Sequence, residues 1–122
     1  MSGNIPTVYV GNANLLLLAE ILEGADETHL ARGEPTYNQR TWIHPCGTPA
    51  CAIGHWNSFK KRMVHMNQEL CSKEFAIRQG TNDWAHLFGY KPGYPKTSKE
   101  SAARIRAFVA QRSQSETEGE SK

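Results

Sequence analysis

The sequence predicts a mainly α-helical fold: a compact helical domain of four to five helices, with no more than a minor two-stranded β element. Three observations predict it. Apolar residues recur at intervals of three and four in several segments, which is the period of an amphipathic helix. Residues that favour helix N-caps precede these segments. The chain has 122 residues, of which 39% are hydrophobic, and this is enough to form one core.

The composition predicts one domain and a tail. We expect residues 1–112 to form a single helical domain, and residues 113–122 (SQSETEGESK), which contain no apolar side chain, to form a disordered polar tail. No apolar run approaches the roughly 20 residues that cross a bilayer, and no basic leader precedes the first apolar run. We therefore expect a cytoplasmic protein with no membrane contact and with reduced cysteines.

The first elements are a short strand and a helix. Residues 7–10 (TVYV) are β-branched or aromatic and predict a strand that closes at Gly11. Asn12 or Asn14 then caps a helix that runs to about Glu23. Its buried face is predicted to contain Leu15, Leu18 and Leu22, widened by Leu17 and Ile21. Residues 25–35 are a polar connection, and residues 36–43 predict a second extended segment.

The clearest helix start lies in the middle of the chain. Thr48 is a good N-cap and Pro49 suits the first helical position, so we expect one helix over residues 49–70. Its apolar stripe has the spacing 4-3-4-3-4 and consists of Ala52, Trp56, Phe59, Met63, Met66 and Leu70.

Three further helices are predicted towards the C-terminus. A short one over residues 73–79 ends at Gly80, and Thr81 caps the next, which carries Trp84, Leu87 and Phe88. Residues 89–96 (GYKPGYPK) form a loop because of their prolines and glycines. The capping box Thr97-x-x-Glu100 opens the last helix, over residues 98–112. Its inward side chains are Ala102, Ile105, Phe108 and Val109.

The segment from Trp42 to His55 (WIHPCGTPACAIGH) is where chemistry is concentrated, and it has three interpretations. Cys46, Cys51, His55 and also His44 are ligand types that zinc prefers, although they lack the two separated pairs of a structural zinc site. The fold would have to bring a distant ligand to complete such a site, and the candidates are His29, His65, Cys71 and His86. Cys51 and His55 also suit a thiolate and its base, but no third group orients the base. The third interpretation, a buried helix start, explains most of the residues. We therefore predict no catalytic residue and no cofactor, and favour no metal ligand.

This segment resembles a cassette of small uncharacterised bacterial and bacteriophage proteins. In that group an F-(D/N)-M…W segment precedes C-G-T-x-x-C-x-x-G-(W/H), and residues 37–55 follow the same order, with Tyr37 in place of Phe and Gln39 in place of Met. The likeness extends over about residues 12–110. The resemblance implies a small helical fold of unassigned activity. It also implies that His55, where the group often has Trp, is not an obligatory metal ligand.

The formal net charge of +2 conceals a strong polarity. Residues 1–38 carry a net charge of −4, residues 39–112 a net charge of +8 and the last ten a net charge of −2. The middle block predicts a basic surface that binds a partner by charge complementarity. Its candidate residues are Lys60, Lys61, Arg62, Lys91, Lys96, Arg104 and Arg106, with Tyr90 and Tyr94 in an aromatic loop.

These observations favour a small non-enzymatic interaction protein that binds a macromolecular partner, and the resemblance suggests a phage-encoded one. A protein partner is favoured over nucleic acid, because no recognised nucleic-acid motif accompanies the basic residues. The first alternative is a nucleic-acid-binding protein that uses the basic groups at 60–62 and 91–112. The second is a zinc-binding protein that uses Cys46, Cys51 and His55.

Overall fold

The predicted mainly helical fold is confirmed. The computed structural model describes residues 7–41, 43–44, 49–62, 68–89 and 93–120. Within these ranges the elements are α1 (Thr7–Glu23), α2 (Ala25–Ala31), α3 (Ala52–Phe59), α4 (Gln68–Phe75), α5 (Asn82–Phe88) and α6 (Ser98–Glu120). None of these helices is long and apolar enough to cross a membrane.

Helix α1 is the element on which the others pack. It contacts α6 most extensively and also α2, α3 and α4. Leu15, Leu18 and Leu22 are fully buried on the face that the leucine spacing predicts. Around them lies one core, which includes Trp56, Phe75, Leu87, Ala102, Ile105 and Val109.

The predicted strand over residues 7–10 is wrong, because these residues form the first turns of α1. The β propensity of Thr and Val is a weak, context-dependent preference, and tertiary packing overrides it. Gly11 does not end an element. A Cβ at this position would lie 2.6 Å from the carbonyl carbon of Phe75, so its absence lets α1 approach the end of α4.

The prediction of one helix over residues 49–70 is also wrong. Helix α3 begins at Ala52, with Cys51 as its N-cap, and ends at Phe59. Lys61 then has a left-handed backbone, with φ of 61°. The N–H of Lys61 donates to the carbonyl of Ser58 (3.1 Å) and the N–H of Arg62 to that of Asn57 (2.7 Å), which is a Schellman motif. Thr48, Met63 and Met66 lie outside the described residues.

Helix α4 ends earlier than the predicted 73–79 helix, in a second Schellman motif. Ala76 has φ of 55°, and the N–H of Ile77 donates to the carbonyl of Ser72 (3.0 Å). In both motifs the left-handed residue is not glycine, so no glycine in the sequence indicates where these two helices end. Where a minor two-stranded β element is predicted, the described residues form one antiparallel bridge, between Ile43 and Pro49.

The predicted starts of the last two helices are confirmed. The Thr81 hydroxyl accepts from the N–H of Trp84 (3.3 Å) at the start of α5. The Thr97 hydroxyl accepts from the N–H of Glu100 (3.1 Å) at the start of α6. Helix α6 continues to Glu120, past residue 112 where its apolar pattern ends. The disordered tail over residues 113–122 stays a prediction.

Asp26 and Ser98 join the first turns of α2 and α6 by reciprocal hydrogen bonds. The N–H of Ser98 donates to Asp26 Oδ2 (3.0 Å), and the N–H of Asp26 donates to the Ser98 hydroxyl (3.2 Å). Asp26 Oδ1 also accepts from the N–H of Tyr37 (2.8 Å). The N–H groups in the first turn of a helix have no partners inside that helix. Here a side chain of α2 accepts from one such N–H of α6, and a side chain of α6 accepts from one such N–H of α2.

Candidate functional site

A cleft of about 460 Å³ opens between α1, α2 and α3. Its floor and edges combine charged, imidazole and apolar side chains, and we call it the histidine cleft. The residues that matter for its chemistry are Glu20, Ile21, His29, Glu34, His55 and Phe59.

His55 provides an unpaired acceptor in this cleft. Its side chain projects from the first turn of α3 and is 5% exposed. The Nδ1–H donates to the carbonyl oxygen of Cys51 (2.9 Å), so the remaining nitrogen, Nε2, carries the lone pair. Nε2 is buried and has no hydrogen-bond partner among the described residues. Burial lowers the pKa of His55, which keeps the ring neutral at pH 7.

His29 lies beside it, at the end of α2. Its Nδ1 is 2.8 Å from Oε1 of Glu34, so the carboxylate orients this ring as the Cys51 carbonyl orients the other. The ring centroids of His29 and His55 are 5.5 Å apart, with an angle of 82° between the ring planes. No described residue hydrogen-bonds to Nε2 of His29 either. Two imidazoles therefore meet in the cleft, each held through its Nδ1 atom.

A buried network of hydrogen-bonded side chains packs against the ring of His55. The ring of Tyr37 stacks on it, with 6.2 Å between ring centroids. The Tyr37 hydroxyl donates to Oε1 of Gln39 and is 3.0 Å from the hydroxyl of Ser101. Gln39 Nε2 donates to two carbonyl oxygens at the end of α5, at 3.0 and 2.8 Å. Tyr37 and Gln39 thus form a buried hydrogen-bonded pair.

Neither described cysteine, Cys51 or Cys71, forms a site with the imidazoles of His29 and His55. Cys51 is buried in the core as the N-cap of α3, and burial raises the pKa of its thiol to about 11. His55 bonds to the main-chain oxygen of Cys51, which is not the contact that a thiolate and its base require. Burial also raises the pKa of Cys71. Cys46 lies outside the described residues, within which no three His, Cys, Asp or Glu side chains form a metal-binding group.

The arginines of the predicted basic surface bind within the chain. Arg62 pairs with Glu74, Arg106 pairs with Glu23, and Arg104 donates to two carbonyl oxygens at 3.0 and 2.7 Å.

The lysines are placed differently. Lys60 is 3.9 Å from Glu74, Lys61 is exposed at the turn after α3, and the Lys96 ammonium lies 3.2 Å from the ring centroid of Tyr94. Lys91 and Tyr90 lie outside the described residues. Arginines and lysines of the predicted surface alike make contacts within the chain, and the pair of Arg106 with Glu23 remains exposed. The binding role of this surface stays a prediction.

The sequence pattern singles out His55, offers His29 only as one of four distant residues that could complete a zinc site, and misses Glu20 and Glu34. His29 is 26 positions from His55, in a segment that the sequence assigns to a polar connection, and only the packing of α2 beside α3 brings the rings together. A histidine in the last turn of a short helix, with an acidic residue five positions later, is the sole and weak signal. No protein-family model, no curated protein and no solved structure matches the chain.

Proposed function

We propose that this protein is a non-enzymatic interaction protein that binds a protein partner at the histidine cleft. The observation that carries the proposal is the position of Phe59, which lines the cleft with 48% of its surface exposed. Exposed aromatic side chains at the edge of a concave surface are the usual anchors of protein interfaces.

The apolar edge of the cleft is already ordered. Phe59 stacks on the buried Trp56, with 5.6 Å between ring centroids, so it loses little conformational freedom when a partner covers it. Ile21 lines the cleft from α1. Leu17 is one turn before Ile21 on the same face of α1 and is 36% exposed. A partner that covers these side chains removes apolar surface from water, which stabilises the complex.

The charge of the cleft supports the same proposal. Glu20 and Glu34 line the cleft with only Arg32 opposing them, so a basic partner surface is favoured over the phosphates of a nucleic acid.

Site-specific photo-crosslinking in the producing cell tests the proposal. A photoreactive phenylalanine analogue replaces Phe59 in one variant and Leu30 in another. Leu30 is the matched control, because it is 67% exposed but does not line the cleft. We expect one discrete protein adduct from position 59 and none from position 30.

Binding of the captured protein to the purified chain then gives the quantitative test. We expect Phe59→Ser to weaken it by about 10-fold or more, and Leu30→Ser to leave it unchanged. Equal effects of the two variants, or adducts that contain nucleic acid, would overturn the proposal.

A further inference from the structure

We infer that His29 and His55 form a two-histidine site for one divalent transition-metal ion of the class that prefers imidazole, such as Zn²⁺, Ni²⁺ or Cu²⁺. This inference concerns a different ligand from the protein partner proposed above and does not rest on it. It also differs from the cysteine-containing zinc site considered from the sequence.

The separation of the two rings fits a shared metal ion. A zinc–nitrogen bond of about 2.0–2.1 Å places an imidazole centroid about 3.2 Å from the metal. Two imidazoles at a tetrahedral angle then have centroids about 5.2 Å apart. The observed separation of the His29 and His55 ring centroids is 5.5 Å, which is close to this value.

The hydrogen bonds of the two rings direct the same nitrogen of each towards a ligand. Histidines that bind metals almost always donate the other ring N–H to a carboxylate or a backbone carbonyl. Here Glu34 holds Nδ1 of His29 at 2.8 Å, and the Cys51 carbonyl holds Nδ1 of His55 at 2.9 Å. Both Nε2 atoms are left as ligand atoms.

The buried Nε2 atom of His55 is the second, independent observation. It has no partner among the described residues, although the ring is almost fully buried and lines the cleft. A coordinate bond at Nε2 would satisfy the atom that the fold leaves unpaired.

Two protein ligands leave the remaining coordination positions to water. The described residues offer no third His, Cys, Asp or Glu in the required arrangement.

Calorimetric titration of the untagged full chain with Zn²⁺, Ni²⁺ and Cu²⁺ near neutral pH tests the inference. We expect one ion per chain, and a loss of affinity of more than about 10-fold in each of His29→Gln and His55→Gln. His86→Gln is the matched control, because His86 is an exposed histidine on α5, and it should bind as the parent does. Glu34→Gln should weaken binding by about 10- to 100-fold through the lost orientation of His29.

Nitrogen NMR of the parent chain keeps the test independent of the folding of the variants. Diamagnetic Zn²⁺ should shift the Nε2 resonances of His29 and His55 and leave those of His86 in place. Three results would overturn the inference. These are the absence of stoichiometric binding, unshifted Nε2 resonances, and binding that Cys46→Ser abolishes while His29→Gln retains it.

Discussion

Arg62 and Glu74 join the end of α3 to α4 through a two-pronged ion pair, with Nη1 3.1 Å from Oε2 and Nη2 2.7 Å from Oε1. Glu74 Oε1 also accepts from the indole N–H of Trp56 at 2.8 Å. Burial alone would raise the pKa of Glu74, but the hydrogen bonds from Arg62 and Trp56 outweigh it and hold the pKa below its usual value. One carboxylate thus fixes the relative position of two short helices.

Glu74→Ala should therefore lower the free energy of unfolding by roughly 1–3 kcal/mol, because it leaves the donors of Arg62 and Trp56 without their acceptor. Denaturant titration measures the loss. The control is Glu23→Ala, which breaks the equally close but more exposed pair with Arg106. Exposed pairs contribute little, so its effect should be smaller. Equal losses in the two variants would contradict this account of Glu74.

Gly11→Ala should destabilise the protein although alanine favours a helix by about 1 kcal/mol over glycine. The added methyl group would meet the carbonyl of Phe75, and the separation of α1 from α4 that relieves it should cost roughly 1–3 kcal/mol. Gly24→Ala serves as the control, since a Cβ there meets nothing within 4 Å. Thermal unfolding distinguishes the two, and a more stable Gly11→Ala variant would show that the helices are not in close contact.

The lowered pKa of His55 predicts a loss of stability in mild acid. The unfolded chain, with a histidine pKa of about 6.5, binds the proton before the folded chain does. The free energy of unfolding should therefore fall as the pH drops below about 6.5 and should not respond to His55 above it. Groups that face this ring, including His29, His44 and Asp26, remain in place in the comparison variants.

Denaturant titrations between about pH 8 and pH 5 measure this dependence in the parent and in His55→Gln. We expect a shallower slope in His55→Gln and the parental slope in His86→Gln. The lowered pKa of Glu74 changes the free energy of unfolding only below about pH 4.3, which is outside this pH range. An unchanged slope in His55→Gln would show that the folded protein protonates this ring as readily as the unfolded chain.

If the chain binds nucleic acid, the first alternative from the sequence, its affinity should fall steeply as the salt concentration rises. Each phosphate contact contributes about −0.9 to the slope of log affinity against log salt. Phosphate contacts from all seven candidate residues of the predicted basic surface would give a slope of about −6. Contacts from the four lysines among them would give a slope no steeper than about −4. Fluorescence anisotropy with duplex and single-stranded oligonucleotides measures it. A slope near −6 would show that Arg62, Arg104 and Arg106 exchange their partners in the chain for phosphates.

The starts of α5 and α6 and the core face of α1 were within reach of the sequence, because they depend on local rules, whereas α1 and α3 begin at other residues than the sequence predicts. Thr81 and Thr97 cap helices where their side chains and the following residues predict it. Leu15, Leu18 and Leu22 follow the helix period and are buried.

The helix ends in the middle of the chain were not predictable in the same way. Lys61 and Ala76 adopt left-handed backbones that sequence rules assign to glycine. The apolar spacing across this break continues unchanged, and Phe59 and Leu70, which it assigns to a core stripe, are partly exposed.

The candidate site was predictable only in part. Cys51 and His55 stand out by their position at a helix start, and the burial of Cys51 agrees with the interpretation of a packed helix start. The pairing of His55 with His29 depends on tertiary packing that no spacing encodes.

The reciprocal bonds between Asp26 and Ser98 have a consequence for synthesis on the ribosome. The two residues are 72 positions apart, so the N-terminal amide of α2 meets its partner only after most of the chain has been translated. Helix α1 likewise has its most extensive neighbour in α6. We therefore expect the side of α1 that faces α6 to stay uncovered in an emerging chain until α6 has left the ribosome, and the domain to complete its fold only then.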